Sequence, residues 1–253
     1  MENPHTDVID IAPPSRSGVS RLELAMGAGS LTLNPGSAGK LVHGTISYNV
    51  PEWKPKIIRH ENTVRIEQDK SNLATVRGRT INDWDLQLGS SPIDLALAAG
   101  AAKVRLELGG LTLTDLTISH GASDCFLTLD EPNRAEIDTV HFTAGAAKSE
   151  LRGLGFLNAK RMEFSGGAGL LSLNFDGDLR QDLAVKISAS AGSVTIAVPP
   201  GIPSDATLTG VMTTVKSDRA WSRSHGRYHL DGTGPSLTFD LKMSVGTLEL
   251  RST

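Results

Sequence analysis

Apolar and polar residues alternate along most of this chain with a period of two. Leu22-Glu-Leu24, Leu31-Thr-Leu33, Val104-Arg-Leu-Glu-Leu108, Leu116-Thr-Ile118 and Leu171-Ser-Leu-Asn-Phe175 each place apolar side chains on one face of a strand. Gly44 to Val50 reads the same way, and Pro51 and Pro55 break the run, so Glu52-Trp-Lys54 falls in a loop or at a strand edge. Lys56–His60 and Thr63–Gln68 predict a hairpin turned at Glu61-Asn62. Ser149 to Leu157 could form a short helix, but Gly153 and Gly155 favour a corner. Long amphipathic helical patterns are absent.

Over this alternation lies a longer period. A strand ending in small residues, a glycine and a second short strand recur at Gly27/Gly29, Gly100, Gly121, Gly145, Gly167/Gly169, Gly192 and Gly246. From Gly100 to Gly121, Gly145, Gly169 and Gly192 the steps are 21, 24, 24 and 23 residues. Such a period marks a coil whose turns bury their apolar faces only against neighbouring turns. Stacked strands repeat their corners in register, and a corner that brings backbones close together excludes a Cβ. The fold class expected is therefore all-β, a single elongated β-solenoid with rungs of about 21–24 residues. At that period the chain would make about eleven rungs and a rod about 50 Å long. Residues 1–20, polar and rich in Pro and Ser, read as a flexible lead-in. Residues 21–82 read as an N-terminal β section with a hairpin and cap. Residues 83–253 read as the regular rack, continuous with it. Asp69 to Thr80 is polar and carries no repeat signal. The Pro51–Pro55 entry and the irregular Trp221–Tyr228 segment are candidate covers for the two sticky ends.

Composition narrows the function classes. With 25 Lys+Arg against 28 Asp+Glu in 253 residues, there is no electrostatic reason to expect nucleic acid. Aromatic residues make up only 4% of the chain, which suits a thin core of Leu, Val, Ile and Ala and weakens any case for stacking on bases or sugars. The one cysteine, Cys125, lies in a strand pattern and reads as a small buried hydrophobe. No stretch reaches the ~18 apolar residues of a membrane helix. The first ten residues lack the basic start and apolar stretch of a leader, so membrane association is expected only through a leader or anchor not present in this chain.

Candidate chemistry is sparse. His225-Gly-Arg-Tyr-His229 has the closest histidines, but Gly226 argues against the helix that would align them, and Arg219, Arg223 and Arg227 oppose a dication. Asp176-Gly-Asp178 and Asp130-Glu131 lack the oxygen-rich pattern of a calcium loop and read as turns. Asp94, Asp115 and Asp138, separated by 21 and 23 residues, could stack on adjacent rungs as the carboxylates of a polysaccharide-acting enzyme. Gly166-Gly-Ala-Gly169 is followed by no Lys-Ser/Thr and is not a phosphate loop. Trp221 and Tyr228 among arginines form either a contact patch or an end cap, and the cap reading is preferred. No catalytic, cofactor-binding or metal-binding residue is assigned.

The order of these phrases resembles the toast-rack family of bacterial β-solenoid proteins, related to adhesin-like solenoids and cell-wall-active-antibiotic response proteins. The resemblance is carried by Leu22–Leu33, Pro55-Lys-Ile-Ile58 with Val64–Gln68, Trp84–Leu88, Pro92-Ile-Asp-Leu95, Gly100–Leu108, Asp182–Ile187, Ala191–Pro199 and the closing Leu237–Leu250. It implies a non-catalytic scaffold of the cell envelope or cell exterior, adhesion-like or tied to envelope stress, whose partner is a protein or the cell wall. It implies no enzyme, nucleic acid or small-molecule cofactor. A polysaccharide-acting β-helix enzyme and a cytoplasmic, polymer-forming solenoid are the alternatives.

Overall fold

A computed structural model describes residues 4–14, 18–37, 39–68 and 80–253. Its backbone is almost entirely strand, in one sixteen-stranded sheet. The repeating unit is a long strand bent near its middle. It is seen in β2 (Ser20–Pro35), β7 (Ile93–Glu107), β10 (Ile137–Arg152), β11 (Ala159–Asn174), β12 (Leu183–Val198), β13 (Ser204–Ser217) and β16 (Leu237–Ser252). In one rung the bend opens fully, leaving β8 (Leu113–His120) and β9 (Asp124–Thr128) as two limbs.

Register follows the sequence period. Leu95 faces Leu116, Leu116 faces Val140, Val140 faces Met162 and Met162 faces Val185, in steps of 21, 24, 22 and 23 residues, all parallel. The third step differs from the glycine spacing because there are two glycine columns. Gly167 stacks on Gly145, whereas Gly169 lies over Ala147. The 24-residue step from Gly145 to Gly169 therefore crosses from one column to the other.

The regular steps end at β12. Its next neighbour is β16, with Val185 facing Phe239, and β13 lies beyond, with Ala206 facing Phe239. The closing phrase Leu237–Leu250 thus fills the penultimate place, and the terminal rung is an earlier piece of chain. Eight rungs result, not eleven, and the stack is about 34 Å long at the spacing of paired strands. The missing rungs are accounted for by long connections and by the ends.

At the N-terminal end, β2 is covered on both limbs. The hairpin of β4 (Lys56–His60) and β5 (Thr63–Glu67) lies over its first limb, and β6 (Asn82–Leu88) lies over the second. β3 (Val42–Tyr48) and β1 (His5–Ile11) continue from β6 in antiparallel order. The opening residues therefore hold a strand where a flexible lead-in was expected: Ile9 and Ile11 are buried, and their alternation is masked in sequence by the neighbouring Asp7 and Asp10. Parallel stacking begins within 21–82, at β2, while β6 belongs to the cap, so no structural break falls at 82/83. Trp53 is buried in a 3-10 turn over Pro51–Trp53, as expected of a cover. Most of the polar Asp69–Thr80 stretch lies outside the described residues.

At the other end, β14 (Ser222–Ser224) and β15 (Arg227–Leu230) form a hairpin, and β15 pairs with Ser204–Thr207 of β13. Trp221, Tyr228 and Leu230 are buried there. The core between these covers is one continuous cluster of Leu, Ile, Val and a few aromatics, with Phe142 lying between His120, which it meets edge-on, and the tilted ring of Phe164.

Candidate interaction surface

The bend carries the most regular exposed feature. Gly27, Gly100, Gly121, Gly145 and Gly167 form one column, and each extra Cβ from Gly100 onward would meet the backbone of the previous glycine. Beside it Ala28, Ala101, Ala146, Ala168 and Ala191 continue into Val245 and Met212. The result is a narrow ridge along the rod, almost without side chains over its first rungs and apolar at its C-terminal end. Gly192 belongs to the inner glycine column; its φ of 125° and a virtual Cβ 2.0 Å from the Gly169 carbonyl explain why no other residue stands there. Beneath the ridge, between β10 and β12, lies a mostly apolar cavity of about 40 Å³ bordered by Phe142, Phe164, Ser149 and Val194. It has room for a water or two, far below the several hundred Å³ of a ligand pocket.

The outer face of the first limbs is a ladder of charges. Arg21 donates to both Glu23 and Asp94, each at 2.7 Å. Arg65 pairs with Glu67 at 2.7 Å, and Lys160 with Glu136 at 2.5 Å. Asp94 and Asp115 do stack in register, as their spacing suggested. Burial, and then the charge of Asp94, raise the Asp115 carboxyl above its ordinary range. Asp138 does not join them; it sits one residue out of register and pairs with Arg161. Arg21 pairs with Oδ2 of Asp94, on the outer side of this stacked pair.

The other sequence candidates resolve into structure. His225 and Gly226 make the tight turn of the β14–β15 hairpin, with φ of 48° and 80°. His229 lies on β15 between Asp205 and Asp231, at 3.1 and 3.2 Å, and these partners raise its pKa. The two histidines do not converge, and among the described residues no three metal-ligating side chains are placed to hold one ion. Asn174 Oδ1 accepts from the Asp176 backbone at 2.7 Å, and Asp178 pairs with Arg180, so that loop is turn chemistry. Asp130 and Glu131 crowd Gly109 and Gly110 at another corner. Cys125 is buried, and its thiol is pushed up to about 12 by burial, which removes it as a nucleophile. The aromatics of the Arg219–Arg227 segment are buried, with Arg223 lying 5.4 Å from the Tyr228 ring centre; the segment is an end cover.

Among the buried polar groups that escaped sequence reading are His120 and Asn133. His120 lies between Ser123, at 2.6 Å, and Ser149, at 3.1 Å, and burial lowers its pKa. Asn133 is fully buried on the return side of the coil. Its Oδ1 accepts from Leu113 N–H, and its Nδ2 donates to the Leu113 and Ala135 carbonyls, all at 2.8 Å. Asn158 continues the ladder by donating to the Ala135 carbonyl, and Gln181 by donating to Asn158. Both groups sit where an apolar run is interrupted, a signal that looks like a loop in sequence.

Residues 6–152, from β1 to the last residue of β10, match the family model described as the N-terminal domain of toast_rack, DUF2154. Among solved structures, a "putative cell adhesion protein" from Clostridium sporogenes ATCC 15579 is 17% identical over 99% of this chain and 100% of its own, with a TM-score of 0.53. A "putative adhesin" from Bacteroides fragilis NCTC 9343 is 13% identical over 99% of this chain and 98% of its own, with a TM-score of 0.32. No curated protein matches the chain.

Proposed function

The chain belongs to the toast-rack family, and from that premise we propose that it is a non-catalytic scaffold of the bacterial cell envelope or surface, making adhesion-like contacts through its ridge and flat strand faces. One observation carries this reading. Eight rungs hold one bend in register, so a ridge of small and then apolar residues runs the length of the stack beside flat strand faces that carry charged side chains. Such a surface suits an extended protein or wall polymer better than a small substrate. The solved structure described as a "putative cell adhesion protein" shares the fold and is in keeping with this role.

The test is co-sedimentation with isolated cell-wall sacculi and with intact cells. The wild-type chain should be retained. Ala146→Glu/Ala168→Glu, on the exposed ridge, should cut retention at least tenfold with the thermal midpoint held. No retention on any surface, or retention unchanged by the ridge variant, would sink the reading. Stacked Asp94 and Asp115 are the observation that favours a polysaccharide-acting enzyme instead. That alternative predicts release of reducing ends from wall or capsular polysaccharide, abolished by Asp115→Asn.

A further inference from the structure

The two ends of the stack differ in how they treat their open strand edges. At the N-terminal end the outermost strands carry charge: Asp7 and Asp10 on β1, and Lys56, Arg59 and His60 on β4. Charged edges discourage pairing with another chain. At the C-terminal end, β15 covers only Ser204–Thr207 of the last rung. From Leu208 to Ser217 the outer edge of β13 pairs with no strand among the described residues. This stretch, Leu-Thr-Gly-Val-Met-Thr-Thr-Val-Lys-Ser, has one charge and no proline, and it is rich in β-forming residues. Val211 is 88% exposed and Met212 67% exposed, the two most exposed large apolar side chains of the rack itself. Leu208 and Val215 are only partly buried, so the apolar core also stays open at this edge.

We propose that this limb of β13 pairs antiparallel with the same limb of a second copy, giving a tail-to-tail, two-fold dimer. Three features select that occupant. First, another rung added in parallel, as a continuing coil requires, would need both limbs, and β15 already occupies the first. Second, the N-terminal edge that lies over the corresponding limb is β1, where the charged Asp7 and Asp10 discourage strand pairing, and a head-to-tail contact through it would give an open-ended series of masses. Third, the limb is complementary to itself. A two-fold axis near Thr213 sets Val211 against Val215 and Lys216 against Gly210, so no like charges meet across the pair. Antiparallel pairing also carries each β14–β15 hairpin beyond the paired stretch. The contact is isologous and closes after two copies, so it yields dimers rather than filaments. This inference is independent of the ridge and of any role in adhesion.

Sedimentation equilibrium from about 1 μM to 1 mM reads it directly. The wild-type mass should rise from one chain toward two and stop there. Val211→Lys/Met212→Lys alters only solvent-facing side chains and should weaken dimerisation at least tenfold, with the circular dichroism spectrum retained. Ile57→Lys/Ile58→Lys at the opposite end should dimerise like the wild type. The proposal is overturned by a single-chain mass throughout, by an open-ended mass series, by a β13 variant that dimerises unchanged, or by loss of dimer in the β4 variant alone.

Discussion

Each rung turns twice, and the two turns solve the same crowding in opposite ways. On the bend side, backbones approach so closely that side chains are removed: a Cβ at Gly246 would lie 1.9 Å from the Gly192 carbonyl. On the return side, the chain leaves strand geometry and its free backbone groups are met by side-chain amides, the buried Asn133 first and then the half-buried Asn158 and Gln181. Subtraction serves where rungs are in perfect register, because neighbouring strands satisfy each other's hydrogen bonds. Addition is needed where the loops vary in length and no ladder forms.

Breaking the bend should therefore hurt most. Gly192→Ala forces a Cβ into the Gly169 carbonyl at a φ of 125° and should cost about 3–5 kcal/mol, read as a fall in urea midpoint. Asn133→Ala should follow, at about 3 kcal/mol, since it leaves Leu113 N–H buried without its acceptor. An equal or larger loss for Asn133 than for Gly192 would reverse the ranking.

Titration sharpens the comparison further. His120 lies just before the Gly121 bend, where polar side chains are used on that side too, as Gln68 and Asn82 are at the Gly27 bend. Burial depresses its folded pKa, so its contribution is complete above the unfolded value of 6.5 and lost as pH falls toward and through the folded one. Thermal midpoints should therefore drop from pH 7 to pH 5, and His120→Gln should flatten that slope. The smallest effect belongs to the outer face. Asp115 has a raised folded pKa, so its favourable, protonated form prevails at low pH and is lost as pH rises through that value. Asp115→Asn should stabilise the chain at pH 7 by about 0.5 kcal/mol, with the gain gone below pH 3.8.

Much of this architecture was legible in the chain. The period-two runs and recurring glycines fix the rung, and the Lys56–Gln68 hairpin and the two covers fall where their turn residues and tryptophans point. Spatial order was not legible, because a rung's apolar pattern is the same whichever neighbour it meets; nothing in Leu237–Leu250 says that it lies inside β13. The first strand was hidden by its charged edge residues. Asn133 was hidden because a buried amide and a loop asparagine look alike in sequence. Of the stacked carboxylates, the 21-residue step placed Asp94 beside Asp115, whereas the 23-residue step misplaced Asp138, since that rung spans 24.

The insertion of β16 between β12 and β13 also has a bearing on biosynthesis. β13, β14 and β15 leave the ribosome before the strand that joins them to the rest, so this end of the stack cannot close until β16 has been made. The last sixteen-residue strand acts as a keystone. A chain lacking it would keep the earlier rungs but leave β12 and β13 each facing an empty strand's width, an open, aggregation-prone gap by which an incomplete product could be recognised and removed.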